Sequence, residues 1–152
     1  MRVSAKTDYA LRAVAEIAAA DHDGPVKGER IATAQGIPLR FLENILSELR
    51  NAGIVESRRG AEGGYLLARP AEEIALADVI RAVDGPLANV GGRRPEQLAY
   101  TGSAESFQEV WIAVRAGLRT VLERITLADV AAGKLPAPVQ KLTADPEAWK
   151  PH

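Results

Sequence analysis

Apolar positions recur every three or four residues in several stretches of the chain, and the polar interruptions between them fall where a turn is needed. Tyr9, Ala10, Ala13, Val14 and Ile17 form one helical face, which starts at a cap on Ser4 or Thr7 and runs to about Ala20. Gly24-Pro25 then breaks the chain. A short helix over about 27–34 turns Ile31 and Ala34 inward. Gln35-Gly36-Ile37 is a turn in which Gly36 is free to take positive φ. Pro38 suits the first turn of the next helix, because its missing N–H has no partner there in any case. That helix runs to about Asn51. Leu42, Ile45, Leu46 and Leu49 make its buried face, while Arg40, Glu43, Asn44, Ser47 and Arg50 lie on the other side.

The period then changes. Ile54 to Ser57 and Tyr65 to Ala68 read as two short strands, joined by the tip Arg58-Arg59-Gly60-Ala61-Glu62-Gly63-Gly64. Two short helices about a turn, followed by a basic glycine-rich hairpin, predict a winged helix-turn-helix. Such a fold places one helix in the major groove of DNA. The N-terminal half of the 38–51 helix therefore holds the candidate base readers Leu39, Arg40, Glu43 and Asn44, with Ser47 one turn further on. Arginine suits guanine, asparagine suits adenine, and glutamate accepts from the cytosine amino group. Arg58, Arg59 and Gly60 are the candidate contacts from the wing. Glu62 opposes close approach of that tip to phosphate. Lys6 and Arg12 lie off the first helix's apolar face, as phosphate contacts or as solvated charges.

Beyond Pro70, Ala75 to Val83 reads as a short helix and 87–101 as a loop. A long helix over 104–125 follows, with Phe107, Val110, Trp111, Val114, Leu118, Val121, Leu122 and Ile125 in one stripe. This apolar surplus exceeds what a winged domain needs and predicts pairing with a second copy through Phe107, Trp111, Val114, Leu118 and Val121. Thr126 and Asp129 form a capping box for a last short helix. The tail holds four prolines after Gly133 and is expected to be loose in part. The expected fold is mainly α: a winged helix-turn-helix with a small two-stranded β wing and a long C-terminal dimerisation helix. Its expected divisions are 1–83 for DNA binding, 84–103 as an effector loop, 104–133 for dimerisation and 134–152 as tail.

Composition narrows the function. The net charge is −1, with ten Lys or Arg against nine Asp or Glu in residues 1–70 and nine against eleven thereafter. A binder that relies on phosphate neutralisation alone is disfavoured by this balance. There is no cysteine, hence no disulfide and no thiolate chemistry. No apolar run approaches membrane-spanning length and the N-terminus lacks a signal-peptide pattern, so no membrane is expected and the cytoplasm is the expected compartment. No nucleophile–histidine–carboxylate arrangement is visible. His22 lies in an Asp-His-Asp turn, His152 is terminal, and Glu72-Glu73 read as first-turn helix charges. The chain is thus expected to be no enzyme and to hold neither metal nor cofactor. Gly91-Gly92-Arg93-Arg94 offers backbone N–H groups and guanidinium forks to an anion, so Arg93 and Arg94, with Tyr100 at an apolar edge, are the candidate effector residues.

The order of these motifs resembles one family. MR-S-K--YA at the start, I-----I-L-FLE-IL--LR-AGIV-S-RG--GGY-LAR in the middle and I-L-DVI-AVDG after it are similar to the bacterial winged-helix regulators of the Rrf2 type, which include IscR, NsrR and CymR. The resemblance is dense over residues 1–83 and continues loosely to about residue 130. It implies a cytoplasmic, homodimeric repressor of an inverted-repeat operator in double-stranded DNA. Glu43 falls at the family's base-reading glutamate and Arg59 at its wing arginine, while Leu39 and Arg40 fall where members differ. The long helix makes the family's dimer, and the last helix packs near the partner's DNA-binding domain. Sensor members hold an iron–sulfur cluster on three cysteines in the loop before the long helix. The matching loop here, ANVGGRRPEQLAYTGSAES, has none, and Asp8, at one relative's aspartate ligand, cannot hold a cluster alone. The input is then a small molecule or a protein acting near 87–106. A dimeric protein-interaction module that keeps the same fold is the alternative.

Overall fold

Ser4 starts the first helix: its hydroxyl accepts the Thr7 backbone N–H at 3.0 Å, and α1 spans Ala5–Ala19. The structure, a computed structural model, describes residues 1–151. α2 is Gly28–Gln35 and α3 is Leu39–Asn51, separated by Gly36 at φ 61°. β1 (Val55–Arg58) and β2 (Gly64–Leu67) pair antiparallel, with Val55 opposite Leu67 and Arg58 opposite Gly64. α4 is Leu76–Asp84, α5 is Phe107–Leu122, α6 is Leu127–Ala131 and α7 is Ala137–Thr143.

α1 is the central strut because small and β-branched side chains on one face let its neighbours close in. Ala10, Ala13, Val14 and Ile17 meet Leu42, Ile45, Leu46 and Leu49 of α3 in one core, together with Ile31, Ile37, Ile54 and Val55. Arg12 ties α1 to the turn by donating to the Gln35 carbonyl at 2.7 Å, and it pairs with Asp8 at 3.0 Å. Lys6 pairs with Glu48 of α3 at 2.7 Å and donates to the Val83 carbonyl. Both basic residues are engaged within the fold.

Several boundaries differ from the sequence reading. Ala34 is exposed, because α2 buries Ile31 and leaves its last turn outside. Pro38 is the cap of α3, one position before its first turn. α5 begins at Phe107, since Gly102–Ala104 forms a separate 3₁₀ turn, and it ends at Leu122. Ile125 leaves the helix because its carbonyl accepts the Leu76 N–H at 2.9 Å, while Leu127 N–H reaches the Ile74 carbonyl at 2.9 Å. This backbone pairing returns the chain to the core. Leu127 is fully buried there, so α6, started by the Thr126–Asp129 capping box, packs on its own α1. α6 thereby joins the same core as α1 and the winged domain. The 84–103 segment contains a 3₁₀ turn at Pro95–Gln97 and a tight Val90–Arg93 bridge. The tail is not irregular throughout: α7 buries Val139, and a 3₁₀ turn covers Pro146–Trp149.

Asp84 locks the end of α4 onto the start of α1. It accepts the Ser4 hydroxyl at 2.7 Å and the Thr7 hydroxyl. Burial raises its pKa, but hydrogen bonds from Thr7 and Ser4 and the Lys6 charge outweigh that and hold the carboxyl below its ordinary value. A carboxyl with a lowered folded pKa contributes stability above its unfolded value, and that contribution disappears as pH falls through the folded one. Asp84→Asn should therefore cost about 1 kcal/mol at neutral pH. The cost should shrink as pH falls below the ordinary carboxyl value and through the lowered folded one. Paired thermal melts of the two proteins across that range give the comparison.

Candidate nucleic-acid interface

α3 has a strict division of faces. Its four buried residues point into the core, while Leu39, Arg40, Glu43 and Asn44 are exposed and Ser47 is half-buried. Among the described residues, no hydrogen bond or ion pair engages the side chains of Arg40, Glu43, Asn44 or Arg59. That sets them apart from Lys6 and Arg12, whose charges the fold already uses. Phe41, on the same helix, also has 60% of its surface exposed and is not among the residues singled out from the sequence. The heptad-like spacing of Leu42, Ile45 and Leu49 would have shown that Phe41 lies off the buried face.

The wing is tied to the segment that leads into α2 by an interaction the sequence did not reveal. Val26 pairs with Tyr65, donating to its carbonyl at 2.9 Å and accepting its N–H at 2.8 Å, so the hairpin gains a third short edge. A Cβ on Gly64 would lie 2.6 Å from the Val26 carbonyl group, and one on Gly63 would strike the Arg58 backbone. The paired glycines are therefore demanded by close backbone approach, beyond the needs of a turn. Arg50 of α3 donates to Ser57 Oγ at 3.4 Å. These contacts bring Leu39 and Glu43 of α3, Arg58 and Gly60 of the wing, and Lys27 at the start of α2 around one shallow cleft of about 300 Å³. Arg59 and Glu62 are exposed at the tip. Of the helix and wing residues named from the sequence, Leu39, Glu43, Arg58 and Gly60 thus line one cleft.

The two other predicted groups separate. Phe107, Val110 and Val114 of α5 are 49%, 45% and 43% exposed, and none of its sixteen residues is buried. Trp111, Val114 and Leu118 line a cleft of about 600 Å³ toward Met1, Val3 and Ile80 of the same chain, and Val121 is half-buried. Tyr100 does not join the arginines: its hydroxyl accepts the Trp111 indole N–H at 3.0 Å, and the Phe107 ring stacks on Trp111 at 6.2 Å and lies tilted to Tyr100 at 5.9 Å. Arg93 turns back to donate to the Gln97 carbonyl at 2.8 Å. Arg94 alone of the three opens into a cleft beside α4 and α5. No helix of the described residues is long and apolar enough to cross a membrane.

A helix-turn-helix with an attached wing, and unpaired polar side chains on the outward face of its second helix, defines the class of winged-helix DNA-binding proteins. The family model described as "Rrf2: Iron-dependent Transcriptional regulator" matches residues 3–133. The chain is 50% identical over 145 residues to the HTH-type transcriptional regulator Rv1287 of Mycobacterium tuberculosis, covering 95% of this chain and 90% of that one. It is 36% identical over 132 residues to CymR of Bacillus subtilis, covering 87% and 91%. The structure of CymR, the global cysteine regulator of B. subtilis, superposes with a TM-score of 0.76 at 33% identity, covering 88% of this chain and 98% of that one. T. potens IscR gives 0.68 at 33% identity, covering 100% and 93%. The chain belongs to the Rrf2 family and is a transcriptional regulator with a winged-helix fold, not an enzyme. The iron in the family's description has no thiolate to meet in this chain, which contains no cysteine.

Proposed function

We propose that this regulator is a cytoplasmic homodimer that represses by occupying an inverted-repeat operator in double-stranded DNA, with an input other than an iron–sulfur cluster. The observation that carries the DNA reading is the contiguous set of unpaired side chains on α3, placed beside the wing. Arg40, Glu43 and Asn44 read bases, with Leu39 and Ser47 at the edges of the contact. Arg58, Arg59 and Gly60 position the wing on the backbone or in the minor groove. The apolar face of α5 pairs the two chains through Phe107, Trp111, Val114, Leu118 and Val121, because an exposed stripe of this size on a helix is covered in a stable protein.

The division of labour is testable on one selected DNA site. Glu43→Ala should relax discrimination at a cytosine by about 1–3 kcal/mol. Arg59→Ala should weaken all sequences alike and lower the logarithmic salt slope by about one. Competition binding against single-base variants at several salt concentrations separates the two effects. A selected motif untouched by Glu43→Ala would mean that α3 enters the groove in another orientation. Failure of the wild-type protein to prefer any sequence favours the protein-interaction module instead.

A further inference from the structure

Four arginines line one cleft of about 510 Å³ between α4, the following loop and α5. Arg81 comes from α4, Arg94 from the loop, and Arg115 and Arg119 from successive turns of α5, above a floor of Gly85, Pro86 and Leu87. Two carboxylates hold three of them in place. Glu123 accepts from Arg81 and, at 3.0 Å, from Arg119, while Glu96 accepts from Arg115. Arg81 also stands 3.8 Å from Asp78, outside the cleft lining. Among the described residues no hydrogen bond or ion pair engages the Arg94 guanidinium. Four cations and one carboxylate, Glu96, line the cleft, while Glu123 and Asp78 pair with the arginines from outside the lining.

We propose that this cleft binds a small polyanionic metabolite, recognised through its carboxylate or phosphate oxygens. Half-exposed ion pairs contribute little to stability, so the fold itself gives no reason to gather four arginines here. Planar guanidinium forks, by contrast, match carboxylate and phosphate geometry in pairs. Their carboxylate partners keep the forks oriented before a ligand arrives, and Arg94 supplies the uncommitted charge. The volume lies within the ordinary range of small-molecule sites. The elements joined are also informative. A bound anion bridges α4, which belongs to the winged-helix core, to α5, the proposed dimer helix. It can therefore bias the relative placement of two recognition helices if it prefers one arrangement. This regulatory role rests on the dimeric DNA-binding reading above; the binding site does not.

Calorimetric titration of the full chain without DNA tests the site. The probes are inorganic phosphate, pyrophosphate, succinate and citrate at an ionic strength fixed with sodium chloride, with thermal-shift measurements in parallel. At least one probe should bind saturably at one site per chain. Arg94→Ala should weaken it about tenfold or more, as expected for one charge-assisted contact. Arg119→Ala should weaken it as well, and Arg124→Ala, outside the cleft lining, should not. Binding of the phosphorus anions alone assigns a phosphoryl ligand, and binding of succinate or citrate alone assigns a carboxylate. No saturable response to any probe, or an Arg94→Ala protein that binds as tightly as wild type, overturns the site. Operator selection reads the DNA function separately, so failure of one leaves the other standing.

Discussion

Val114→Glu/Leu118→Glu should sediment as a monomer and lose operator affinity by roughly two orders of magnitude or more. Each aliphatic side chain covered in a helix–helix seam contributes about 1.5–3 kcal/mol relative to exposure. Two glutamates in the seam add the cost of desolvating like charges beside each other. A dimer bound to two half-sites loses one of them when it dissociates, and DNA affinity falls with it. Val114 and Leu118 also line the cleft toward the chain's own N-terminus, so a second variant is needed. Val110→Glu serves, because Val110 is 45% exposed and lies outside that cleft. Monomers from both variants, with unchanged melting of the winged domain, support the seam. A dimeric mass from both would place the dimer interface elsewhere on the chain.

Gly63→Ala and Gly64→Ala should each displace the wing while leaving α3 intact. The added methyl of Gly63→Ala would sit 2.8 Å from the Arg59 carbonyl carbon, and that of Gly64→Ala 2.6 Å from the Val26 carbonyl. Backbone cannot rotate away as a side-chain tip can, and overpacking of this kind costs roughly 1–3 kcal/mol or more. We expect lower melting temperatures and weaker binding to every DNA sequence, with the preferred bases unchanged. Alanine at Glu62, an exposed tip residue, should instead preserve stability and strengthen binding slightly by removing a charge that repels phosphate. Retention of wild-type affinity in both glycine variants would show that the wing does not touch DNA.

Local chemistry made much of this architecture legible from sequence. Ser4, Gly36 and the Thr126–Asp129 box act through their nearest neighbours, and the helices they bound follow from them. The α3 pattern was equally readable because one periodicity fixes both its buried and exposed faces. What escaped depends on contacts between distant segments. The Val26–Tyr65 pairing joins residues with no shared local pattern. Ile125 continues the stripe of α5 in spacing but is captured by Leu76 across the fold, which ends the helix early. The adjacent Arg93 and Arg94 look equivalent in sequence, yet the Val90–Arg93 bridge sends one back to its own loop and the other into the cleft. Arg81, Arg115 and Arg119 come from separate helices, and only folding gathers them.

Whether two copies of this chain read a symmetric DNA site is decided by in vitro selection from random duplexes with the purified protein. The selection should enrich an inverted repeat with half-site centres about one helical turn apart, roughly 10 base pairs, or a multiple of that spacing. Sedimentation of the protein on that site should then give two chains per duplex. A selection that enriches no motif at low or moderate salt, or one that yields an unrepeated site occupied by a single chain, would contradict it.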